Sequence, residues 1–190
     1  MNTHLLIISC SHRTRPDRTL VPAIRRYDSR LYRILRDVRF NLHWPAGLRI
    51  LILTARYGLI DELYPTSACA HADRMTAERR FDLLPVLHAQ LTLALAARPA
   101  GIFINLSVNY RQAIPITFDY EAFAAGVDLR WATGDVDARL AQTRAWLCSI
   151  IHERRLSLYH PTLSRFSRRF VPFAVQTVTP VQSAVSASIR

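Results

Sequence analysis

The chain has 190 residues, half of them hydrophobic, which is enough to bury a core without metals or disulfides. Arg and Lys outnumber Asp and Glu by 25 to 14, giving a formal net charge of +11, and every basic side chain is an arginine. Such a surface attracts polyanions, so nucleic acid is the first partner to consider. A GC-rich genome explains the choice of Arg over Lys but not the excess over acids. The absence of lysine excludes lysine Schiff-base chemistry and a Walker-type phosphate loop.

The three cysteines lie far apart, without the close pairs that zinc or redox sites use, and they are Cys10, Cys69 and Cys148. We therefore expect a reducing compartment, no metal and no cofactor. The chain starts without a basic leader and has no apolar run of membrane-spanning length. These features predict a cytoplasmic protein without a membrane partner, and we expect it to be a monomer.

Four short apolar runs predict buried strands, at residues 4–9, 49–54, 101–105 and 127–132. Helical patterns lie between and after them, at residues 22–40, 76–97 and 136–155, with shorter helical segments within 109–123. In the first helix, Arg26, Arg30 and Arg33 share a face opposite the apolar one and could lie against phosphates. Thr76 is a candidate N-cap of the second helix.

Strands that alternate with helices predict one α/β domain with a central, four-stranded, mainly parallel sheet flanked by helices on both faces. Ligands of such sheets bind beyond the carboxyl ends of the strands. This rule selects four loops, at residues 9–22, 55–74, 105–112 and 133–137.

The pattern changes after residue 155, so we predict a domain over residues 1–155 and a basic, aromatic extension over 156–190. Three of its arginines are interleaved with aromatic rings, and these are Arg165, Arg168 and Arg169. Charge and stacking together fit contact with nucleic acid. A surface-packed or partly disordered tail gives the same pattern, and the sequence leaves both interpretations open.

Several loop residues are candidates for binding or chemistry. The stretch from Ser9 to Arg13 places small polar side chains and a cation after the first strand, where they can meet an anion or a base edge. Cys10 and His12 suggest a thiol and a base, but neighbours on a strand end point to opposite faces, so a buried structural thiol is favoured. Tyr57 offers a ring for stacking. Three aspartates are further candidates, Asp28, Asp61 and Asp73. Asp61 is expected near the sheet edge, whereas capping or pairing with an arginine also explains Asp28 and Asp73.

An ordered set of motifs resembles the YaaA-like peroxide-stress proteins and their small bacterial relatives. The set comprises Ser9-Cys10-Ser11, Pro22-Ala23, Arg26-Tyr27-Asp28, Ala55-Arg56-Tyr57-Gly58-Leu59-Ile60, Asp73-Arg74-Met75-Thr76 and Asn109-Tyr110. The resemblance covers about residues 4–150. It implies the fold of the uracil-DNA-glycosylase superfamily, although the two active-site motifs of the uracil enzymes are missing and Thr133-Gly134-Asp135 stands where the second would fall.

The resemblance implies a DNA glycosylase that flips and excises a modified base from double-stranded DNA, in defence against phages with modified DNA. Hydroxymethylated or glucosylated cytosine is the first substrate to test. Carboxylates can stabilise the oxocarbenium-like state of such a reaction, and the catalytic candidates, expected to converge in one acidic hollow, are Asp28, Asp61 and Asp73. Candidate base-binding or substrate-binding residues are Ser11, Arg13, Tyr57, Arg74, Asn105 and Tyr110. Candidate DNA-binding residues are Arg26, Arg30, Arg33, Arg165, Arg168 and Arg169.

Without lysine the enzyme is expected to leave an abasic site and not to cut the backbone. Two alternatives remain open. A nucleotide or nucleoside N-glycosidase would release base from mononucleotides with little dependence on the arginine face. A non-catalytic DNA-binding stress protein would bind in a salt-sensitive way and form no product.

Overall fold

A mixed five-stranded sheet with helices on both faces forms the framework of the protein. The computed structural model describes residues 3–15, 20–41, 44, 47–67 and 74–159. The strands are β1 (His4–Ser9), β2 (Val21–Pro22), β3 (Leu48–Thr54), β4 (Gly58–Asp61), β5 (Pro65–Thr66), β6 (Gly101–Asn105) and β7 (Asp128–Trp131). The helices are α1 (Ala23–Arg26), α2 (Arg30–Asn41), α3 (Ala77–Ala96), α4 (Val108–Arg111), α5 (Thr117–Ala124) and α6 (Val136–Tyr159).

The strand order is β4-β3-β1-β6-β7, with β1 in the centre. β1 pairs in parallel with β3 and with β6, β6 pairs in parallel with β7, and β4 runs antiparallel to β3 at one edge. β2 and β5 form a separate two-stranded ladder.

Both faces of β1 are buried, because the strand is hydrophobic at successive positions and each face meets a layer of helices. Leu5 and Ile7 pack into one core with α3 and α5, whereas Leu6 and Ile8 pack into the other with α1, α2 and α6. The sheet is therefore the middle of three layers. The helices α1 and α2, which follow β1, lie on the same side of it as α6, which follows β7.

The predicted α/β class is confirmed, and the predicted strands at 4–9 and 101–105 coincide with β1 and β6. Thr76 is the N-cap of α3, and its side chain accepts a hydrogen bond from Arg79 N. The predicted number of four strands is wrong, because β4 adds a fifth, antiparallel strand within a segment that we predicted to be a loop.

The predicted helix at 22–40 is also wrong, because the chain forms two helices with an extended segment between them. Tyr27 has extended dihedral angles and bridges to Thr14, and Asp28 N donates to Arg13 O at 2.8 Å. These backbone bonds hold the segment against the loop after β1. As a result, Arg26 is separated from the helix that carries Arg30 and Arg33.

α6 continues past the predicted domain boundary at residue 155 and ends at Tyr159. Residues 160–190, which include most of the predicted extension, lie outside the described residues. No helix within the described part of the chain has both the length and the apolar character needed to cross a membrane.

Candidate functional site

A cleft lies at the carboxyl ends of β1 and β6. At this point the connections between strands lead to opposite sides of the sheet. From β1 the chain leads through α1 and α2 to β3 on one side, and later through α3 to β6 on the other side of β1. The loops after β1 and β6 therefore diverge, and ligands of open α/β sheets bind at such points. The cleft has a volume of about 290 Å³. Its lining residues are Ser9, Cys10, Ser11, His12, Arg13, Ser29, Leu31, Asn105, Ser107, Tyr110, Val136, Arg139 and Leu140.

Neutral polar groups form one wall of the cleft. The Cys10 thiol and the Tyr110 hydroxyl lie 2.9 Å apart in this wall. Behind it Tyr32, which is buried and does not line the cleft, donates a hydrogen bond to Ser9 O at 3.1 Å. Burial raises the pKa of the Tyr32 phenol well above its usual value. The Tyr32 phenol therefore adds no charge behind the wall, and the amide and hydroxyl groups that do line the cleft suit an uncharged ring such as a nucleobase.

The amide of Asn105 is held in one orientation. Its Nδ2 lies 2.8 Å from Thr143 Oγ1, and that hydroxyl uses its only proton on Arg139 O, also at 2.8 Å. Thr143 Oγ1 can therefore only accept from Asn105, which fixes Nδ2 inward. No described residue donates to Asn105 Oδ1, so the amide, only 6% exposed, offers the cleft an acceptor.

Positive charge surrounds this neutral wall. Arg139 Nη1 donates to Leu106 O at 2.7 Å, which holds its guanidinium beside the cleft, and Arg13 is exposed on the opposite loop. The first turns of α2 and α6 also border the cleft, and their backbone N–H groups favour an anion. None of the described residues that line the cleft is acidic.

Four residues predicted to bind substrate come together in this cleft, and they are Ser11, Arg13, Asn105 and Tyr110. The other two described ones lie elsewhere. Tyr57 packs against Tyr64 in the turn between β3 and β4, and Arg74 is exposed before α3. Neither is among the residues that line the cleft. Tyr57 is directed away from it because the loop after β3 turns back into β4.

Asp28 lies beside the cleft but does not line it. Its neighbour Ser29 is a lining residue, whereas the Asp28 carboxylate lies 2.8 Å from the guanidinium of Arg36 and 3.6 Å from that of Arg33. The hydrogen bond from Arg36 lowers the pKa of Asp28. The side chain remains 34% exposed, so Asp28 is an ionised carboxylate at the rim.

The expectation that Asp61 converges with Asp28 is wrong. Asp61 pairs with Leu51 of β3, three residues before that strand ends, and lies 3.8 Å from Arg49. At the usual spacings it is about 10 Å back from the carboxyl edge and about 10 Å, or two strands, from β1. The antiparallel direction of β4 carries it there. Asp73, the third predicted carboxylate, lies outside the described residues.

Arg26 cannot contact DNA in this structure, because its side chain is 0% exposed. Its guanidinium donates to Arg15 O at 2.9 Å and to Thr66 O at 3.0 Å, joining the loop after β1 to β5. Arg30 and Arg33 are exposed on α2, as expected of residues that could face phosphates. The three predicted contacts in the extension, Arg165, Arg168 and Arg169, lie outside the described residues.

Sequence reasoning missed Arg139 and Thr143, and it assigned Cys10 to the buried interior although the thiol is only half-buried and lines the cleft. Arg139 and Thr143 belong to the first two turns of α6, beyond the loop that the strand-end rule selected. Extending that rule by two helical turns after each strand would have found both.

The described residues contain no group of three or more His, Cys, Asp or Glu side chains that could hold a metal ion. Comparisons of the chain with models of protein families, with curated proteins and with solved structures gave no match. The geometry of the cleft and the charge around it are therefore what indicates a function.

Proposed function

We propose that this protein is a monofunctional DNA glycosylase, which accepts a modified base extruded from duplex DNA into the cleft and releases it. The observation that carries the proposal is the combination, in one cleft, of a neutral polar wall and a rim of arginines. A flipped base needs an uncharged pocket, while its flanking phosphates need cations.

The fixed amide of Asn105 favours a base that presents a hydrogen-bond donor. Cytosine offers its N4 amino group as a donor, whereas thymine and uracil offer the O4 acceptor at the same position. We place Asn105 Oδ1 opposite position 4 of the base, where it accepts from the amino group of a cytosine derivative and repels the O4 of uracil or thymine. This supports cytosine derivatives, such as the hydroxymethylated or glucosylated cytosine of phage DNA, as the substrate class.

Hydrolysis of the N-glycosidic bond needs little more from the protein than a carboxylate near the sugar. The C1′–N bond breaks, the base takes the electron pair and a proton from water, and the remaining hydroxide bonds to C1′. Positive charge develops on the sugar in the transition state, and an ionised carboxylate stabilises it. We assign this role to Asp28, whose lowered pKa keeps it charged beside Ser29 at the rim of the cleft. Because the chain has no lysine, the product is an abasic site.

The same proposal includes membership of the uracil-DNA-glycosylase superfamily. Support comes from the ordered motifs and from a sheet with its cleft at the carboxyl ends of central strands. The antiparallel β4 and the lack of the uracil enzymes' motifs set limits to this kinship, and they agree with a substrate other than uracil.

The test uses duplexes that differ only at one position, with cytosine, hydroxymethylcytosine, glucosylated cytosine or uracil. Free base is measured by mass spectrometry, and abasic sites are measured as strand breaks after alkali. Asp28→Asn is compared with Asp128→Asn, because Asp128 also pairs with an arginine, Arg130 at 2.8 Å, but at the edge strand β7. We expect release of a cytosine derivative that is lost in Asp28→Asn and kept in Asp128→Asn.

Failure to release any base, or equal activity of the two variants, would overturn the proposed chemistry. A borohydride-trapped protein–DNA adduct would contradict the monofunctional mechanism.

Binding of DNA without chemistry is the second candidate function. It is favoured by the absence of acidic groups among the described lining residues of the cleft. This alternative predicts binding that weakens steeply with salt, no free base, and an Asp28→Asn effect confined to stability.

A further inference from the structure

A groove separates α2 from α6 on the same face of the sheet as the cleft. It has a volume of about 460 Å³. Its lining residues are Arg30, Arg33, Ile34, Asp137, Leu140, Ala141 and Arg144. Leu140 lines both the groove and the cleft. The two hollows are therefore neighbours with one shared side chain between them.

The groove carries three arginines and one aspartate. Arg30 lies 2.6 Å from Asp137 and joins the first turns of the two helices, while Arg33 lies 3.6 Å from Asp28. Arg144 is exposed, and within the described part of the chain it has no ion pair or hydrogen bond through its side chain. The groove therefore keeps positive charge that none of the described residues neutralises.

We propose that this groove binds the phosphate backbone of the DNA strand whose base occupies the cleft, with Arg144 as a direct phosphate contact. This inference deepens the proposed function and rests on it. Arg144 follows Leu140 by four residues, which is about 6 Å along the axis of α6. A strand that leaves the cleft past Leu140 therefore meets Arg144 one helical turn later.

The chemistry of the groove suits a sugar–phosphate chain. Guanidinium groups bind phosphate oxygens with paired, charge-assisted hydrogen bonds. Between the arginines, Ile34 and Ala141 offer apolar surface against which deoxyribose can pack. An acidic peptide would also be attracted by the arginines, but it would have no reason to run alongside the cleft, so continuity with the cleft favours nucleic acid.

The experiment measures DNA affinity over a salt series for wild type, Arg144→Gln and Arg98→Gln. Arg98 is also exposed and without an ion pair among the described residues, but it follows α3 on the opposite face of the sheet. Both variants lose one positive charge, so a general effect of net charge is the same in each. The probe is a duplex with a cytosine derivative at the target position, followed by fluorescence anisotropy.

Loss of one phosphate contact lowers the slope of log affinity against log salt by about 0.9. Between about 50 and 200 mM salt, wild-type affinity should then fall about 3.5-fold more than that of Arg144→Gln. Arg98→Gln should keep the wild-type slope. Equal slopes in all three proteins, or competition by polyglutamate as strong as that by DNA, would overturn the inference.

The outcomes separate this inference from the proposed function, because base release by the wild type is measured independently. Base release together with an unchanged slope in Arg144→Gln refutes the groove alone. A reduced slope in Arg144→Gln without base release by the wild type refutes the glycosylase and leaves the groove as a DNA-binding site. Circular dichroism melting of both variants confirms that each is folded.

Discussion

Replacing Thr143 by Val tests whether a fixed amide selects the base. Thr143 is 0% exposed, and its hydroxyl accepts from Asn105 Nδ2 and donates to Arg139 O, both at 2.8 Å. Val keeps the shape of the side chain but removes the acceptor of Asn105 Nδ2. The remaining contact of Nδ2 is the long one to Arg139 O, at 3.4 Å. An unsatisfied buried donor costs about 1–3 kcal/mol, so the free energy of unfolding should fall by that amount.

The same change should reduce base selectivity, because the released amide can present either end to the cleft. One neutral hydrogen bond contributes about 0.5–1.5 kcal/mol, so the preference for a cytosine derivative over uracil should fall about 2- to 12-fold. The assay compares binding of two duplexes that differ only at the target base.

Thr54→Val is the matched control for this prediction. Thr54 is also buried, and its hydroxyl likewise makes two hydrogen bonds, to Gly58 O at 3.2 Å and from Tyr57 N at 3.0 Å, but it is not among the cleft-lining residues. It should lose similar stability with no change in selectivity. Selectivity that stays at the wild-type level in Thr143→Val, or that falls equally in both variants, would refute the reasoning.

Three further predictions concern the framework. Gly58→Ala should lower the free energy of unfolding in urea by about 1–3 kcal/mol more than Gly126→Ala does. Both glycines have φ +71°, but only at Gly58 would the new Cβ lie 2.5 Å from Gln90 Oε1, which accepts a hydrogen bond from Leu59 N. Equal losses in the two variants would contradict this prediction. Arg26→Met should lower stability without changing the salt dependence of DNA binding, and a changed slope would return Arg26 to the interface. The lowered pKa of Asp28 means that its ionised form stabilises the fold, and this contribution is lost as pH falls below its usual value of 3.8. Urea unfolding of Asp28→Asn should therefore depend less on pH in that range than unfolding of the wild type.

The central strands could be predicted from sequence because both of their faces are buried. In β1 every residue from Leu5 to Ile8 is hydrophobic, and this is the short continuous apolar run expected of a strand that is buried on both faces. The amphipathic pattern of α3 is equally clear, with buried leucines at helical spacing and Thr76 at its start. For these elements local pattern and tertiary environment agree, so sequence reasoning succeeds.

The edge of the sheet could not be predicted in the same way. The segment from Ala55 to Asp61 has the glycine and polar residues of a loop, but Gly58 with its positive φ makes it a tight hairpin. Gln90 of α3 then bonds to both the N–H and the carbonyl of Leu59. That contact joins residues 31 positions apart, and no local pattern signals it. Assigning Asp61 to the carboxyl edge failed for this reason alone.

Half of the cleft was within reach of sequence reasoning, since the rule for parallel strands brings the loops after β1 and β6 together. The roles of individual side chains were not, because they depend on partners. Arg26 and Arg30 have the same chemistry and lie four positions apart. Arg26 is wholly buried and donates to backbone carbonyls, whereas Arg30 is exposed on α2. The two arginines differ only because the helix is interrupted at Tyr27. The helical spacing of residues in the sequence continues across Tyr27 and does not reveal the interruption.

Arg33 connects the proposed groove to the proposed catalytic carboxylate. It lines the groove, and it is also the weaker of the two cations on Asp28, at 3.6 Å against 2.8 Å for Arg36. A phosphate in the groove would compete with Asp28 for Arg33, because both are anions that the same guanidinium can pair with. Asp28 would then keep its hydrogen bond from Arg36, so its carboxylate would stay ionised. Without Arg33, that carboxylate would interact more strongly with the positive charge that develops on the sugar. Binding of the backbone would in this way favour chemistry at the base, and DNA would be a better substrate than the free nucleoside.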